Sequence, residues 1–336
     1  MPATMKSIAR DLGVSVVTVS KVLHNHADIS AETRKRVLRR IAEVNYQPNL
    51  VARALSTGRT SLVGLVVPDL VHPFFSQVAK GISACLSEQG YSLIISSSEE
   101  NPQLERREIE QMMARSVDAL ILASTEWEEG SLGRLTERGM PFVLLDRRLP
   151  GLAANFVGND DVAAGTMATE HLIEIGCRRI AHIGGSEVST ARERRKGYEA
   201  TLAKHGLVLS EEYTVSRGRG DNAGDVAGYE AMQNLLRLKR PPDGVFCYND
   251  PIAMGAIRAV LEAGLRIPED IAIVGCGNVH YDDLLRVPLS SVDQDAAGLG
   301  ENAAKLALQI IERKPGSAVK TVLLPATLVV RASTRR

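Results

Sequence analysis

The sequence predicts a small all-α N-terminal domain followed by a larger α/β core of two doubly wound parallel-sheet subdomains. Two observations support this prediction. Helix-capping residues recur within the first 45 residues, and from Leu62 onward short apolar runs of strand length alternate with segments of helical period over roughly 230 residues. The chain has 336 residues and is 44% hydrophobic and 24% charged, which is typical of a globular protein with more than one domain.

Three short helices are predicted at the N-terminus, because capping residues there precede apolar side chains at helical spacing. The predicted helices are 5–12 after Thr4 and ending at Gly13, 16–23 after Ser15, and a third from Ser30 to about Val44. The side chains expected to face inward are Ile8, Ala9, Leu12, Val19, Val22, Leu23, Val37, Leu38 and Ile41. Three short helices with a glycine-containing turn between the first two form the helix-turn-helix layout.

The core is predicted from strands and helices that alternate along the chain. The predicted strands are 62–67, 91–95, 119–123, 142–145, 179–183, 244–247 and 271–275. The predicted helices are 74–89, 103–115, 160–175, 190–204, 223–238 and 249–263. Such alternation is typical of parallel sheets with helices on both faces. Because one sheet with so many strands would be unusual, we expect two subdomains with a cleft between them.

Charge is distributed unevenly along the chain. The totals balance, with 40 Lys and Arg against 40 Asp and Glu. Residues 1–60, however, hold ten basic and four acidic side chains, so the remaining 276 residues hold 30 basic and 36 acidic ones. Residues 1–60 thus have a net charge of +6 and the remaining residues a net charge of −6. This asymmetry predicts a polyanionic partner for the N-terminal part.

Several classes of protein are disfavoured by what the sequence lacks. No stretch approaches the roughly 18 apolar residues that cross a bilayer, and the first residues lack the apolar centre of a signal peptide, so we expect a cytoplasmic protein with no membrane partner. The four cysteines form no C-x-x-C pair, which argues against disulfides and zinc. No phosphate-loop, G-x-S-x-G or H-E-x-x-H motif occurs, so we expect no enzyme, catalytic residue, cofactor or metal.

The segment 15–25 has the pattern of a helix that reads the major groove of DNA. Its inward stripe leaves an outward face of small and polar side chains, namely Val16, Val17, Ser20, Lys21 and His24. On that face valine methyls can meet thymine methyls, and the Lys21 ammonium can reach guanine acceptors. The alternative is an ordinary amphipathic surface helix.

Ordered sequence blocks over nearly the whole chain carry a family resemblance. In the N-terminal part they are A-R-D-L-G-V-S-V-V-T-V-S-K-V-L at 9–23, I-S-A-E-T-R-K-R-V at 29–37 and N-Y-Q-P-N-L-V-A-R-A-L at 45–55. In the core they include G-L-V-V-P-D-L-V-H-P-F-F at 64–75, R-R-I-A-H-I-G-G at 178–185 and Y-N-D-P-I-A-M-G-A at 248–256. With these blocks the chain resembles the LacI/GalR family of transcriptional repressors. The resemblance implies a helix-turn-helix headpiece and a periplasmic-binding-protein-like core.

By this resemblance the N-terminal part binds operator DNA. Val16 and Val17 occupy variable base-reading positions, and Lys21 stands where the family commonly has arginine, which is a bidentate fork rather than a point charge. Residues 49–57 would form a hinge helix whose Leu55 wedges into a central base step of the minor groove; the alternative is that Leu55 packs on the core. The predicted DNA-binding residues are Ser15, Val16, Val17, Thr18, Ser20, Lys21, His24, Asn25, Ser30, Tyr46, Asn49, Ala52, Arg53 and Leu55.

The resemblance to sugar-responsive members also implies an effector site in the cleft. Its residues would be His72, Phe74, Phe75, Asp146, Arg194, Asn249 and Gln294. Any one of them could instead cap a helix or form a salt bridge between subdomains. The sequence departs from the family at Gly277, where an aspartate is common, and near 223, where an aromatic residue is common. Either the ligand differs, or Asn278 and Trp127 supply substitute contacts; Asn278 is therefore included in the predicted site.

The resulting prediction is a homodimeric, or larger, repressor that binds a pseudo-palindromic operator and is released by a sugar-like molecule. The predicted parts are a headpiece at 1–48, a hinge at 49–60 and a core at 61–336, divided into an N-subdomain (61–160, 292–320) and a C-subdomain (161–291, 321–336). The chain would cross between subdomains near 159–161, 290–294 and 319–322. The alternatives are a corepressor-type regulator that responds to a non-sugar metabolite such as a nucleobase, a solute-binding protein without specific DNA binding, and a Rossmann-type dehydrogenase, disfavoured by the missing dinucleotide fingerprint.

Overall fold

The computed structural model describes residues 3–23, 26–46, 54–55, 57–125, 130–216, 224–312 and 318–335. By their contacts they divide into two compact units, Met1–Thr60 and Ser61–Arg336. Within the described part of the chain, no helix combines the length and the apolar character that a membrane span requires.

The first unit contains the three predicted helices, each beginning at the predicted cap. They are α1 (Met5–Leu12), α2 (Val16–Leu23) and α3 (Ala31–Glu43). The hydroxyl oxygens of Thr4, Ser15 and Ser30 each accept a hydrogen bond from the backbone N–H three residues later, at 3.1, 3.0 and 3.3 Å. These bonds satisfy donors that a helix N-terminus leaves free. Helix α1 ends at Gly13, whose φ of 65° is in the left-handed region.

The core of the first unit is a small apolar cluster between the three helices. Its buried members are Ile8, Ala9, Val19, Val22 and Val37. Arg40 donates a hydrogen bond to Asp11 at 2.7 Å and thereby joins α3 to α1. The prediction for Leu38 was wrong, since its side chain is 48% exposed. A helix that packs against neighbours on a single side buries only a narrow stripe of side chains. Leu38 follows the buried Val37 directly, so its side chain points away from that stripe.

The second unit contains twelve strands and eight helices among the described residues. The strands are β1 (Leu62–Val67), β2 (Ser92–Ser97), β3 (Ala119–Leu122), β4 (Phe142–Leu145), β5 (Asn155–Asn159), β6 (Ile180–Ile183), β7 (Thr214–Val215), β8 (Gly244–Cys247), β9 (Ala272–Cys276), β10 (Ser290–Asp293), β11 (Thr321–Leu324) and β12 (Thr327–Val329). The helices are α4 (Pro73–Glu88), α5 (Pro102–Ala114), α6 (Gly130–Glu137), α7 (Asp161–Glu174), α8 (Ser189–Lys204), α9 (Gly224–Leu236), α10 (Asp250–Glu262) and α11 (Ala296–Glu312). Short 3-10 turns lie at Glu211–Tyr213 and Asp282–Leu284.

The strands form two six-stranded sheets, as the alternation of strands and helices predicts. Their orders are β11-β5-β4-β3-β1-β2 and β12-β10-β9-β8-β6-β7. All pairs are parallel except β10 with β12, which is antiparallel. We call the first sheet with α4, α5, α6 and α11 the first lobe, and the second sheet with α7 to α10 the second lobe. Buried apolar clusters cover both faces of each sheet.

Helices within a lobe cross very closely, as α4 and α11 illustrate. A Cβ atom built on Gly81 would lie 2.3 Å from the Ala297 carbonyl oxygen, and one built on Gly300 would lie 2.2 Å from the Val78 carbonyl oxygen. Neither position can carry a larger residue without separating the helices. The backbone contact therefore depends on glycine in both helices.

The chain passes between the lobes three times, after β5, after β10 and after β11. The third crossing was expected at 319–322, and the structure differs. Residues Thr321–Leu324 pair in parallel with β5, with Val322 opposite Val157, so they extend the first sheet. The crossing lies between Leu324 and Thr327. The boundary expected at 291/292 also shifts, because Ser290–Asp293 pairs entirely within the second sheet.

Candidate functional site

The outward face of α2 is the first candidate surface. Val17 is 63% exposed and Val16 37% exposed, whereas Val19 and Val22 are buried against the other helices. Lys21 lies one helical turn beyond Val17, and its side chain is 40% exposed. An exposed face of this kind, backed by an apolar one, is what a helix needs in order to enter the major groove.

The other predicted DNA-binding residues lie around this face or in the segment after α3. Ser15 and Ser30 are exposed and cap α2 and α3, while Thr18 and Ser20 are partly exposed. Tyr46 packs partly against the helical cluster, and Leu55 is 84% exposed. The predicted residues outside the described part of the chain are His24, Asn25, Asn49, Ala52 and Arg53. Of the predicted hinge helix 49–57, the structure describes 54, 55 and 57, all with helical backbone.

The second candidate site is a cavity of about 270 Å³ between the two lobes, at the carboxyl ends of their strands. Seven predicted effector-binding residues line it, namely His72, Phe74, Phe75, Asp146, Arg194, Asn249 and Gln294. Further lining residues absent from the sequence prediction are Pro68, Asp69, Val71, Glu99, Glu100, Arg147, Ser186, Gly224, Tyr248 and Cys276. The volume is near the lower end of the range for small-molecule sites, about 300–1,000 Å³.

Asp146 supplies a buried carboxylate from the first lobe. It directly follows β4, and its φ of 62° is unusual for a residue other than glycine. Gln294 Nε2 lies 3.5 Å from Asp146 Oδ1, which is long for a hydrogen bond. Burial raises the pKa of Asp146, while the charges of Arg194 and Arg147 oppose this effect. A buried carboxylate with so weak a partner is suited to accept hydrogen bonds from a ligand.

Arg194 supplies a buried guanidinium from the second lobe. Its Nε donates to Asp161 Oδ1 at 2.7 Å, and its Nη1 donates to the Tyr248 carbonyl oxygen at 2.8 Å. The guanidinium carbon lies 4.9 Å from the centre of the Tyr248 ring. Nη2 makes no hydrogen bond to the described residues, so it is available to a ligand.

The position of Arg194 depends on the close crossing of α7 and α8. A Cβ atom on Gly165 would lie 2.1 Å from the Arg194 carbonyl oxygen, and one on Gly197 would lie 2.2 Å from the Val162 carbonyl oxygen. Because both helices have glycine here, the start of α7 comes beside α8. Asp161, the first residue of α7, therefore reaches the Arg194 guanidinium.

His72 and Asn249 connect the two lobes at the cavity. His72 Nδ1 accepts a hydrogen bond from the Phe74 N–H at 3.3 Å and caps α4, while Asn249 Oδ1 accepts one from the Ile252 N–H at 3.0 Å and caps α10. Asn249 Nδ2 lies 3.1 Å from His72 Nε2. The His72 ring also lies 5.5 Å from the Phe75 ring, edge to face. Both residues are helix caps and cavity-lining residues at once, so the two interpretations of the sequence are compatible.

A second buried arginine, Arg147, was missed in the sequence. It makes a two-point contact with Glu100, with Nη2 to Oε1 at 2.7 Å and Nη1 to Oε2 at 3.1 Å. Arg147 directly follows Asp146, and Glu100 follows the end of β2, so the position of each at a strand end was a usable signal. Their pairing was not, because it joins residues 47 positions apart.

Asn278 does not line the cavity, so its predicted role as a substitute ligand contact is corrected. Its Nδ2 donates to Asp293 Oδ2 at 3.0 Å, and its Oδ1 accepts from Arg331 Nη2 at 2.7 Å. The physical reason is the turn at Gly277, whose φ of 136° directs the next side chain toward β10. Trp127, the other proposed substitute, lies outside the described residues.

Two buried carboxyl groups influence each other, Asp250 at the start of α10 and Asp282 in the 3-10 turn that follows β9. Asp250 accepts hydrogen bonds from the Ser291 hydroxyl at 2.6 Å and from the Val279 N–H at 3.0 Å. Asp282 is fully buried, and its Oδ2 lies 4.0 Å from Arg331 Nη1, too far for a hydrogen bond. Burial, and next the charge of Asp250, raise the pKa of Asp282 to about 9. Asp282 is therefore a neutral acid at pH 7, and neither of its carboxyl oxygens has a hydrogen-bond partner among the described residues.

The cysteines and the acidic side chains of the described residues do not form a metal centre. No group of three or more His, Cys, Asp or Glu there is arranged to hold a metal ion. All four cysteines are free thiols. Cys276 lines the cavity, and burial raises its pKa to about 12, so at neutral pH it is a small, weakly polar wall residue rather than a nucleophile.

Comparison with known proteins gives matches over the whole chain. A family model described as bacterial regulatory proteins of the lacI family matches residues 4–49, and one described as periplasmic binding proteins and sugar binding domain of the LacI family matches residues 60–331. The HTH-type transcriptional repressor PurR of Pasteurella multocida (strain Pm70) is 32% identical over 335 residues, which cover 99% of both chains.

Two solved structures extend the comparison to the fold. The lac repressor dimer bound to operator and the anti-inducer ONPF covers 99% of this chain and 99% of that one, with a TM-score of 0.86 and 26% identity. The complex of the transcriptional regulator CelR with cellobiose covers 98% of this chain and 99% of that one, with a TM-score of 0.73 and 30% identity.

A helix-turn-helix unit joined to a two-lobed α/β core with a ligand-sized cavity defines a ligand-responsive transcriptional regulator. Together with the matches over 4–49 and 60–331, these features show that the chain belongs to the LacI family of DNA-binding transcriptional repressors. Members of this family are regulators rather than enzymes, in agreement with the sequence prediction.

Asp282→Asn is expected to flatten the pH dependence of stability. The pKa of Asp282 rises from its ordinary value of 3.8 to about 9 on folding, so folding favours the protonated acid. Its contribution to the free energy of unfolding is full below pH 3.8 and is lost as the pH rises through 9. Thermal unfolding between about pH 6 and about pH 9 should show a smaller fall in Tm for the variant than for the wild type. The control Asp225→Asn alters an exposed carboxyl group on α9 and should keep the wild-type slope; identical slopes in all three proteins would contradict the assignment.

Proposed function

We propose that the chain binds a pseudo-palindromic operator as a homodimer and is released from it by a neutral, sugar-like effector bound between the lobes. The observation that carries the effector proposal is the convergence of Asp146 from the first lobe and Arg194 from the second on one cavity. A ligand held by both side chains interacts differently with the open and closed arrangements of the lobes. Such a difference is what a ligand needs in order to shift a conformational equilibrium.

The charges of the cavity favour a neutral ligand over an anionic one. Four carboxyl groups line it, on Asp69, Glu99, Glu100 and Asp146, against the guanidinium groups of Arg147 and Arg194. Both guanidinium groups already pair with a carboxylate, at 2.7 Å in each case. A phosphorylated or acidic ligand would therefore face uncompensated negative charge, whereas hydroxyl groups can donate to Asp146 and accept from Arg194 and the side-chain amides.

A sugar fits this cavity in size and in polarity. About 270 Å³ suits a ligand of monosaccharide size. Phe74 and Phe75 offer apolar edges to ring C–H groups, and Asp146, Arg194 and Asn249 offer polar groups to hydroxyls. The related regulator CelR was solved with the sugar cellobiose. A nucleobase, acting as a corepressor, is the second candidate, because the aromatic wall formed with His72 can also meet a flat ring.

The DNA-binding surface is proposed to be the face of α2 with Val16, Val17 and Lys21, followed by a hinge in 49–60 that joins the headpiece to the core at 61–336. Leu55, 84% exposed, would insert into the minor groove. Effector binding would disturb the pairing of the two hinges and lower operator affinity by a coupling free energy of about 1–3 kcal/mol.

The proposed dimer is supported by an apolar groove on the second lobe. Met254, Ile257 and Leu261 of α10 line it together with Leu285, and the charged residues Arg258, Glu262 and Arg286 also line it. Two neighbouring side chains, Tyr281 and Leu284, are 53% and 73% exposed. Apolar groups left open in this way are typical of a protein interface, and a second copy of the chain is the proposed occupant.

Asp146→Asn is expected to remove most of the response to the effector. A thermal-shift screen of neutral sugars, sugar phosphates and nucleobases with the full-length protein should find that a neutral sugar raises the Tm. The variant should bind that ligand about 1–3 kcal/mol more weakly, because an amide cannot accept hydrogen bonds as a buried carboxylate does. Its stability without ligand should be unchanged or higher, since burial already disfavours the charged form.

The matched control is Asp295→Asn, the same change at a residue that also has a left-handed backbone, φ 51°, but lies outside the cavity lining. It should keep the wild-type response. Stabilisation by sugar phosphates alone would contradict the charge argument, and stabilisation by nucleobases alone would favour the second candidate.

Leu55→Ala is expected to weaken binding to a preferred operator by about tenfold or more while leaving binding to random DNA nearly unchanged. The reason is that a wedge between base pairs stabilises only the bent, specific complex. Fluorescence anisotropy with both duplexes at one salt concentration measures the two affinities. Leu38→Ala, at a 48% exposed leucine on α3, is the control. Equal losses on both duplexes would remove the wedge from the proposal.

Met254→Asp is expected to dissociate the dimer, because it places a charge in the apolar groove. Sedimentation should then give a monomer, and operator affinity should fall by about tenfold or more, since a palindromic site is bound by two linked headpieces. Val208→Asp changes an 82% exposed residue away from the groove and should remain dimeric. A dimeric Met254→Asp protein would place the interface elsewhere.

A further inference from the structure

The turn between α2 and α3 carries an acidic side chain, Asp28, on a unit whose net charge is positive. The Asp28 carboxylate forms an ion pair with the Lys21 ammonium. The two side chains are 55% and 40% exposed, so the pair lies on the surface and does not hold the core together. The hydrogen bond from Lys21 lowers the pKa of Asp28, which is therefore ionised at neutral pH. A negative charge at a surface meant for DNA is costly, because it repels phosphates.

The location of Asp28 is fixed by backbone contacts on both sides. The His26 N–H donates a hydrogen bond to the Lys21 carbonyl oxygen at 3.0 Å. The Arg34 guanidinium donates to the His26 carbonyl oxygen and so ties the turn to α3. Two residues beyond Asp28, Ser30 caps α3. The turn is thus held against both helices, which keeps the backbone of Asp28 within reach of Lys21 at the end of α2.

The surface on which the pair lies is the proposed DNA-reading face. Lys21 follows Val17 by four residues, so both are on one side of α2, and Val17 is 63% exposed. The ion pair therefore meets DNA whenever α2 enters the major groove.

Lysine alone is a poor reader of bases. Its ammonium is a compact charge on a flexible stem with three donors, and it binds a phosphate as readily as a base. A carboxylate that accepts one of the three hydrogen bonds fixes the ammonium in space. Two donors remain, which is the number that the O6 and N7 acceptors of guanine require.

We propose that Asp28 is a positioning residue that makes Lys21 read a base instead of binding phosphate. This inference rests on the proposed role of α2 in DNA binding. On an operator, Lys21 keeps its bond to Asp28 while it donates to guanine. On other sequences, Asp28 holds the ammonium away from the phosphates. Asp28 thus lowers affinity for all DNA and raises the discrimination between sequences.

Asp28→Asn separates these two effects. A preferred duplex is first selected from a randomised library with the full-length wild-type protein. Dissociation constants are then measured for this duplex, for duplexes changed at single half-site positions, and for a random duplex, over a range of salt concentrations. In the variant, affinity for the random duplex should rise, and the slope of log K against log salt should steepen by about one. The preference over at least one half-site change should fall by about fivefold or more.

Two further variants make the result specific to the ion pair. Glu32→Gln removes the same charge from the first turn of α3 and should raise affinity for every duplex by one common factor, with preferences unchanged. In a Lys21→Ala background, Asp28→Asn should no longer alter the preference at that position, because a double-mutant cycle isolates the coupling between the two side chains.

The opposite results are equally clear. If Asp28→Asn raises affinity for the preferred and the random duplex equally, as Glu32→Gln does, then Asp28 is an ordinary surface charge and the positioning role is wrong. If both affinities fall together with the Tm, then Asp28 is structural and the role is also wrong. A wild-type protein with no sequence preference would overturn the proposed function as well, and this result is distinguished because it precedes any comparison of variants.

Discussion

The architecture of the cavity depends on the buried ion pair between Arg194 and Asp161. Moving two charges into a protein interior costs several kcal/mol for each ion, and the pair is retained only where further hydrogen bonds compensate. Here the Arg194 guanidinium also donates to the Tyr248 carbonyl oxygen and lies over the Tyr248 ring. The cavity thus receives a cation whose direction is fixed, and Nη2 remains available at the wall. Without Asp161 the same guanidinium would be an uncompensated charge rather than a binding group.

At the points where the chain crosses between the lobes, the contacts are made by the neutral side-chain amides of Asn159 and Gln294. Asn159 Nδ2 donates to the carbonyl oxygens of Gln294 at 3.1 Å and Leu324 at 3.0 Å, and Gln294 Nε2 lies 3.3 Å from Asn159 Oδ1. All three residues lie where the chain passes from one lobe to the other. Amide hydrogen bonds contribute about 1 kcal/mol each and exchange readily with water or a ligand. This contact between the lobes is therefore stabilised modestly, which suits a molecule that must respond to ligand.

The fold could be predicted wherever its signals are local. The three N-terminal helices follow from Thr4, Ser15 and Ser30, because a cap acts on backbone groups within its own first turn. Strands buried on both faces are continuous apolar runs and were recognised as such. Strands β5, β7, β10, β11 and β12 were missed, since they are short or mixed in polarity and become strands only by pairing with distant neighbours. Helix α11 was also missed, although its alanine-rich composition is typical of a helix.

The candidate site was predictable to a similar depth. Asp146 and Asn249 were assigned to the site by the family resemblance, and both line the cavity at the ends of parallel strands. The acidic partners of the two buried arginines, Asp161 for Arg194 and Glu100 for Arg147, were not predicted, because each pairing is created by tertiary packing. Asn278 was assigned to the cavity as a substitute for the aspartate that the family commonly has at Gly277, but it lies in a turn with two positive φ angles and bonds to Asp293 and Arg331 instead. The sequence thus predicts which residues line the site, whereas the structure is needed to show what each side chain contacts.

The glycine crossings within each lobe have a mechanical consequence. Gly81 faces the backbone of Ala297, and Gly300 faces that of Val78. Gly165 and Gly197 in the second lobe likewise face the backbone of the partner helix, with no flexible side chain between. Such contacts resist sliding of one helix on the other, so each lobe is expected to move as a rigid body. Deformation is then confined to the three crossing segments that connect the lobes. A bound ligand is therefore expected to move one lobe relative to the other rather than to deform either lobe. Replacing one of these glycines by a larger residue would therefore weaken the coupling between ligand binding and lobe movement, even where no ligand contact is altered.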